Sequence, residues 1–478
     1  MAKRTKIVAT LGPATDRPGV LDAILRAGAD VVRINFSHGT AADRERRIGE
    51  VREAAARIGR DIGILGDLQG PKIRVERFAD GPVELLDGET FTLDASLSPD
   101  AGDGRAVGIA YKALPQDVRP GDVLLLNDGA ITLQVERVDG PRVECRVLVG
   151  GMLSDGKGIN RLGGGLSAGA LTDKDREDIR VAAALELDFL GVSFPRGAAD
   201  MEEARALLHE AGGRALLVAK IERAEGVARI EEIVRASDVI MVARGDLGVE
   251  IGFAEVPGVQ KNIIRVARGM NRIVITATQM MESMVHEAIP TRAEVSDVAN
   301  AVIDGTDAVM LSGETAIGRF PVKAVEAMAS ACVSAEKQRS TSISRHRMDD
   351  VFDRTDEAIA MATMYTANHL DVKAIVALTE SGSTALWMSR IRSGIPIFAF
   401  SRNASTRRRV ALYRGVYPVP FELVLDPSRS GFAVVCQALL ERGLVVVGDR
   451  IVITEGRTAG VAGGTNTMKI LTVEAPPD

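Results

Sequence analysis

Eight short apolar runs, each closing on polar residues, recur along the first two-thirds of the chain, and no other feature limits its possible folds so strongly. They are KIVATLGP from Lys6, DVVRINFSHG from Asp30, IGILGDLQG from Ile62, FLGVSFPR from Phe189, ALLVAKIER from Ala215, DVIMVARGDLG from Asp238, RIVITATQM from Arg272 and DAVMLSGET from Asp307. Their β-branched content and length predict buried strands. Helical patterns such as AADRERRIGEVREAAARIG, TDKDREDIRVAAALEL and TRAEVSDVANAVIDG separate most of them, which is the alternation of a parallel sheet. Eight strand–helix units predict an α/β fold, a closed (β/α)8 TIM barrel; a doubly wound open sheet is the alternative that pattern alone leaves standing.

Between the third and fourth runs the helix is replaced by roughly 95 residues, from Lys72 to Leu166, rich in short strands and in DG, PG and GG turns. This reads as an all-β insertion with glycine-bearing ends, GPK and NRLGGGL, placed to act as a lid over the barrel mouth. A second, shorter α/β alternation follows the polar stretch SAEKQRSTSISRHRMDD. The expected division is a barrel from 1–71 and 167–340, a β-barrel-like lid from 72–166 and a C-terminal α/β domain from 341–478.

Composition narrows the classes of partner. Lys and Arg number 59 against 65 Asp and Glu, a formal charge of −6 without basic tracts, so neither nucleic acid nor a membrane surface is an expected partner. Cys145, Cys332 and Cys436 are far apart, which argues against disulfides and thiolate metal sites and predicts a reducing, cytoplasmic setting. The opening MAKRTKIVATLGP has charge but lacks the apolar stretch of a signal peptide, and no run of about 18 apolar residues appears, so neither a leader nor a membrane span is expected.

In a parallel barrel, chemistry collects at the carboxyl ends of the strands. Those ends carry Arg33, Asn35 and Ser37; Asp67; Ser193 and Phe194; Lys220 and Glu222; Arg244 and Asp246; Thr278 and Gln279; Ser312 and Glu314. Lys220 and Glu222 are two apart on a strand and share a face. Glu222 and Asp246 offer hard carboxylate oxygens with no histidine or thiolate near them in sequence, a donor set for magnesium or manganese; a purely structural salt bridge of Lys220 is the competing reading. Arg33 and Arg74 would clamp phosphoryl oxygens, and phosphoryl transfer depends on this kind of charge neutralisation more than on a nucleophile. An aldolase or lyase using a similar barrel, and a non-catalytic sensor, are the other two classes that the sequence leaves to weigh.

VVRINFSHG, AKIERAEGV, IMVARGDLGVEI, ATQMMESM and MLSGETAIG, in this order and on these elements, resemble the pyruvate kinase family along the whole chain. The resemblance implies conversion of phosphoenolpyruvate and ADP to pyruvate and ATP. It implies Glu222 and Asp246 as ligands of the magnesium ion, Lys220 and Arg33 on the phosphoryl group with Arg74, and the backbone of Ala243, Arg244 and Gly245 with Thr278 at the substrate carboxylate. The enolate's proton would come from Thr278, a water, or a relay through Ser312 and Glu314. Pro13, Asn35, His38 and Lys157 would place ADP, with Arg74 also in reach of the nucleotide. Family members that need potassium hold it with groups matching Asn35, Ser37, Asp67 and the carbonyl at Leu68, and carry threonine, lysine and glutamate where this chain has Leu68, Gln69 and Lys72. An ammonium at Lys72 would stand in for the ion, so K+ is not an expected requirement. In the C-terminal domain, Thr379, Ser381, Gly382, Ser383 and Thr384 with Arg402, Arg407 and Arg457 form the expected cradle for a phosphorylated effector. The family also implies a homotetramer.

Overall fold

The computed structural model describes residues 3–71, 73–342, 351–421, 431–456 and 463–475. Lys72 and Arg457 lie outside the described residues. Eight parallel strands close into a barrel: β1 (Lys6–Thr10), β2 (Val31–Asn35) and β3 (Gly63–Asp67) precede the insertion. Its strands are β4 (Val83–Leu85), β5 (Thr90–Asp94), β6 (Ala106–Gly108), β7 (Val123–Leu126), β8 (Ile131–Asp139), β9 (Arg142–Val149), β10 (Gly151–Leu153) and β11 (Ile159–Arg161). The barrel resumes with β12 (Phe189–Val192), β13 (Leu216–Ile221), β14 (Val239–Ala243), β15 (Ile273–Ala277) and β16 (Ala308–Leu311). The order around the barrel is β1-β16-β15-β14-β13-β12-β3-β2, so the insertion interrupts the chain between two neighbouring strands. The eight predicted runs are the eight barrel strands. Buried on both faces, such strands read as unbroken apolar segments.

The chain divides into two compact units. The first comprises Met1–Gly66, Leu185–Phe189 and Ala267–Asp478. Its C-terminal part is a five-stranded sheet, β19-β18-β17-β20-β21, from β17 (Ala374–Leu378), β18 (Ile397–Ser401), β19 (Val416–Pro420), β20 (Arg450–Gly456) and β21 (Thr465–Thr472). The first four run parallel and β21 closes the edge antiparallel. Arg390, fully buried, donates to Asp307 and to the carbonyl of Arg272 at 2.7 Å, while Arg408 Nε meets Asp188 at 2.8 Å. These arginines hold the C-terminal sheet's helices against the amino ends of barrel strands.

Asp307 and Asp188 belong to a repeated device. The aspartate that precedes one strand accepts the second amide of its neighbour: Asp30 from Ile7 at 2.9 Å, Asp188 from Ile64 at 3.0 Å, Asp307 from Val274 at 2.9 Å. In the second unit Asp238 does the same for Leu217 at 2.8 Å. A buried amide left without an acceptor would cost about 1–3 kcal/mol, so each aspartate fixes both register and strand start.

The second unit comprises Asp67–Ala184 and Leu190–Val266. It holds the lid's six-stranded sheet, β11-β7-β8-β9-β5-β6, and the β10-β4 pair, around a core that includes Phe78, Phe91, Leu124, Leu133 and Val143. Gly70 (φ +68) makes the turn out of β3, and a Cβ there would stand 2.7 Å from Ser193 Cβ. Only glycine meets both conditions. Asp175 accepts the Gly70 amide at 3.1 Å and fixes the turn from the other side. No helix among the described residues is long and apolar enough to cross a membrane.

Candidate active site

Glu222 stands one residue past β13 and is 2% exposed. Its Oε1 lies 2.8 Å from Lys220 Nζ and its Oε2 accepts the Phe194 amide at 2.9 Å. Phe194 takes φ +55, a costly value for an aromatic residue, and the turn aims its amide at the carboxylate. Lys220 Nζ is also 2.7 Å from Ser193 Oγ and 3.3 Å from Asp67 Oδ1. Lys220 and Glu222 therefore share a face, as their spacing predicts, and Asp67 joins them from the end of β3.

Asp246 sits in the first turn of the helix Arg244–Ile251, directly after β14. Burial pushes the Glu222 carboxyl up to about 7; the Lys220 ammonium opposes that rise, and the Asp246 and Asp67 charges add to it. Each of these charges disfavours ionisation of Glu222, a penalty that a cation held by Glu222 and Asp246 would relieve. Among the described residues no group of three or more His, Cys, Asp or Glu side chains is arranged around a metal position. A pair of carboxylates fits an ion that keeps water and substrate oxygens in its shell, as magnesium does, and suits zinc poorly.

A cavity of about 430 Å³ opens beside this pair, lined by Arg74, Lys157, Phe194, Arg223, Asp246 and Glu250 among others. Arg74 bridges to Gly158 across the lid's base and donates from Nη1 to the Gly156 carbonyl at 3.0 Å, so it and Lys157 enter the cavity together. Arg223 and Glu250 are not among the strand-end residues that the sequence pattern marks. They stand one after Glu222 in AKIERAEG and four after Asp246 in GDLGVEI, which is the signal that could have found them. Burial pushes the Glu250 carboxyl up to about 7, with the Ala224 amide and Arg223 acting against it. The Leu68 carbonyl, expected at a monovalent-ion position, accepts from Ser193 Oγ at 2.8 Å.

In the first unit, Arg33 on β2 donates to Thr10 Oγ1 at 3.2 Å, and Asn35 Oδ1 accepts the Ser37 amide at 3.0 Å. His38 and Pro13 are exposed. Thr278 and Gln279, just after β15, take φ +67 and +52. Two successive non-glycine residues in the left-handed region, one of them β-branched, store strain of the order of 1–2 kcal/mol per residue. Glu314 is fully buried; its oxygens accept the Met281 amide at 3.1 Å and the Ser312 amide at 2.7 Å, joining the loops after β15 and β16. Burial pushes its carboxyl up, with these amides opposing.

In the C-terminal sheet, Thr379 Oγ1 accepts the Gly382 amide at 2.9 Å, and Thr384 Oγ1 is buried 2.7 Å from Thr465 Oγ1. Ser381 and Ser383 lie 3.1 Å apart at the exposed loop. Arg402 donates to Glu380 at 2.9 Å, and Arg407 pairs with Asp61 at 3.0 Å. Both arginines are thus engaged by carboxylates that the linear spacing did not reveal.

Two family models match the chain: "Pyruvate kinase, barrel domain" over residues 2–325 and "Pyruvate kinase, alpha/beta domain" over residues 357–471. The chain is 56% identical over 476 residues to pyruvate kinase II of Salmonella typhimurium, covering 99% of both chains. It is 55% identical to the pyruvate kinase of Haemophilus influenzae, again over 99% of each. The Geobacillus stearothermophilus pyruvate kinase is 42% identical over 98% of this chain and 80% of its own length. With its closed barrel, inserted sheet and terminal α/β domain, the chain belongs to the pyruvate kinase family.

Proposed function

We propose that the chain transfers the phosphoryl group of phosphoenolpyruvate to ADP, with Glu222 and Asp246 holding the magnesium ion that the reaction uses. The observation that carries this reading is the buried Glu222 carboxylate, 2.8 Å from the Lys220 ammonium and disfavoured by burial and by the charges of Asp246 and Asp67. A phosphotransferase gains its rate from positioning and charge neutralisation, and fixed cations beside a carboxylate pair supply both. Bound between Glu222 and Asp246, the ion would neutralise charge on the substrate's carboxylate and phosphate oxygens. Lys220 holds its ammonium where phosphoryl charge builds up, and the family resemblance gives Arg33 the same task. The amide-bearing start of the helix at Arg244 and Gly245, with Ala243, faces the substrate carboxylate, and a helix start favours an anion. Thr278, held strained at the end of β15, stands at the proton-transfer step with Ser312. Glu314, whose two oxygens each accept an amide, positions those loops and is not itself the donor.

Arg74 and Lys157 bring two cations to the cavity, which supports reading it as the nucleotide phosphates' site; the family resemblance adds Pro13, Asn35 and His38 as nucleotide residues. The chain acts in the cytoplasm as a homotetramer, and potassium is dispensable because Lys72 replaces the family's glutamate. A phosphorylated effector binds at Ser381, Gly382 and Ser383, displacing Glu380 from Arg402 to free a cation.

The test is pyruvate formation from phosphoenolpyruvate and ADP with and without magnesium, in buffer whose only monovalent cation is tetramethylammonium. Turnover that needs magnesium is expected; no pyruvate would end the reading, and strong activation by added potassium would end the part that concerns Lys72. Lys157→Ala is expected to raise the KM for ADP roughly tenfold, the worth of one charge-assisted contact.

A further inference from the structure

The lid leaves the barrel at one turn and returns through another, and the returning segment from Arg161 to Ala168 is gripped by residues that the phosphoryl chemistry does not employ. Gly163, Gly164 and Gly165 all take positive φ, +85, +78 and +97. A free glycine run of this kind would be a loose hinge. Here the Gly163 amide donates to the Glu250 carbonyl at 2.8 Å and Arg223 Nη1 donates to the Ala168 carbonyl at 3.2 Å. Glu225 accepts the Gly165 amide, and Asp117 accepts the Ser167 amide at 2.8 Å.

Glu250 takes part in the first of these ties through its main-chain carbonyl. It is 4% exposed, although an acid with no structural task would be expected at the surface. Its Oε2 accepts the Ala224 amide at 3.0 Å, just past Glu222, and Asn160 of β11 lines the same cavity wall beside it. Arg223, which clasps the hinge, lies beside the carboxylate and favours its charged form. The same helix meets the lid a second time: a Cβ at Gly129, in the turn between β7 and β8, would stand 4.0 Å from Val249. One end of this helix carries Asp246 and the other seats the lid.

We propose that Glu250 is a positioning residue that latches the returning hinge and β11 to the helix bearing Asp246, so that Lys157, two residues before β11, reaches the cavity in a fixed place. The proposal rests on reading that cavity as the ADP site. It adds a device by which the returning segment of the lid is held to the helix that carries Asp246.

The experiment compares Glu250→Leu, which keeps the volume and loses the acceptors, with Glu250→Gln, which keeps an acceptor for the Ala224 amide. Backbone hydrogen exchange over residues 159–168 is read alongside kcat and the KM for ADP. In the leucine variant, exchange there is expected to quicken roughly tenfold and the KM for ADP to rise by a similar factor, with kcat within about threefold of the parent. The glutamine variant is expected to restore both. Unchanged exchange over 159–168 in the leucine variant, or a glutamine variant no better than leucine, overturns the latch. Should the leucine variant fail to fold, Glu250→Asp, whose carboxylate is withdrawn by one methylene, takes its place with the same readouts. Lys157→Ala separates the two readings. If it leaves the KM for ADP unchanged while Glu250→Leu frees the hinge, the latch stands and the nucleotide site falls; the reverse pattern removes the latch alone.

Discussion

Replacing Lys220 by methionine removes one ammonium from between two buried carboxylates. Nζ lies 2.8 Å from Glu222 and 3.3 Å from Asp67, and the side chain is 11% exposed. At an effective dielectric of ~20 each of those attractions is about 5–6 kcal/mol gross. Breaking such a pair from one side costs about 3–5 kcal/mol net, provided the carboxylates stay ionised. Glu222 has a way out: burial already holds its carboxyl at about 7 with the lysine pulling it down, so without the lysine it climbs further. Between the ordinary carboxylate value and that raised one, the folded state keeps a proton that the unfolded state releases, so stability falls as pH rises. The variant's deficit is therefore expected to be small at pH 6 and to approach the full few kcal/mol by pH 9. Turnover at neutral pH is expected to drop by about 10²–10³, the worth of one fixed charge at a developing anion. Thermal unfolding at both pH values, together with kcat at excess magnesium, measures both effects. A variant that keeps turnover within tenfold, or that shows the same melting deficit at pH 6 and pH 9, refutes the reasoning.

Two further substitutions test other parts of the structure. Burial lowers the Lys6 amine to about 8, although it donates to the Val416 carbonyl and lies 4.5 Å over Tyr417. Its charge is a penalty below pH 8 that is relieved as pH rises toward 10.5; Lys6→Met is expected to raise Tm at pH 7 and to lose that advantage by pH 10, and an advantage that grows with pH contradicts this. Thr278→Gly removes a side chain from φ +67 and is expected to stabilise the fold by about 1 kcal/mol while lowering kcat at least a hundredfold; a variant both active and no more stable would show that neither strain nor the hydroxyl matters there.

How much of this could be read from the residues depended on what each feature needs in order to show. The barrel strands are legible because burial on both faces writes them as continuous apolar runs, and the lid because turns and alternation replace a helix between Lys72 and Leu166. Lys220 and Glu222 meet as their two-residue spacing on a strand dictates. Glu250 and Arg223 are not legible because their partners, the Ala224 amide and the hinge carbonyls, are backbone atoms, and backbone partners leave no mark in a sequence. The aspartates ahead of β2, β12, β14 and β16 stand in the sequence without any mark of their task, and only the fold shows that each accepts an amide from the neighbouring strand. Arg402 and Arg407 looked like open cations; Glu380 and Asp61, 22 and 346 residues away, engage them.

The shared ion is tested most directly by titrating Mn2+ into the wild-type chain, Glu222→Gln, Asp246→Asn and the double variant, each with phosphoenolpyruvate present, and following free Mn2+ by electron paramagnetic resonance. Each single variant is expected to bind roughly tenfold or more weakly, and the double to fall far short of the product of the two losses, because both carboxylates serve one ion. Parent-like binding by either single variant, or losses that simply multiply, would mean that the two carboxylates do not hold the same metal.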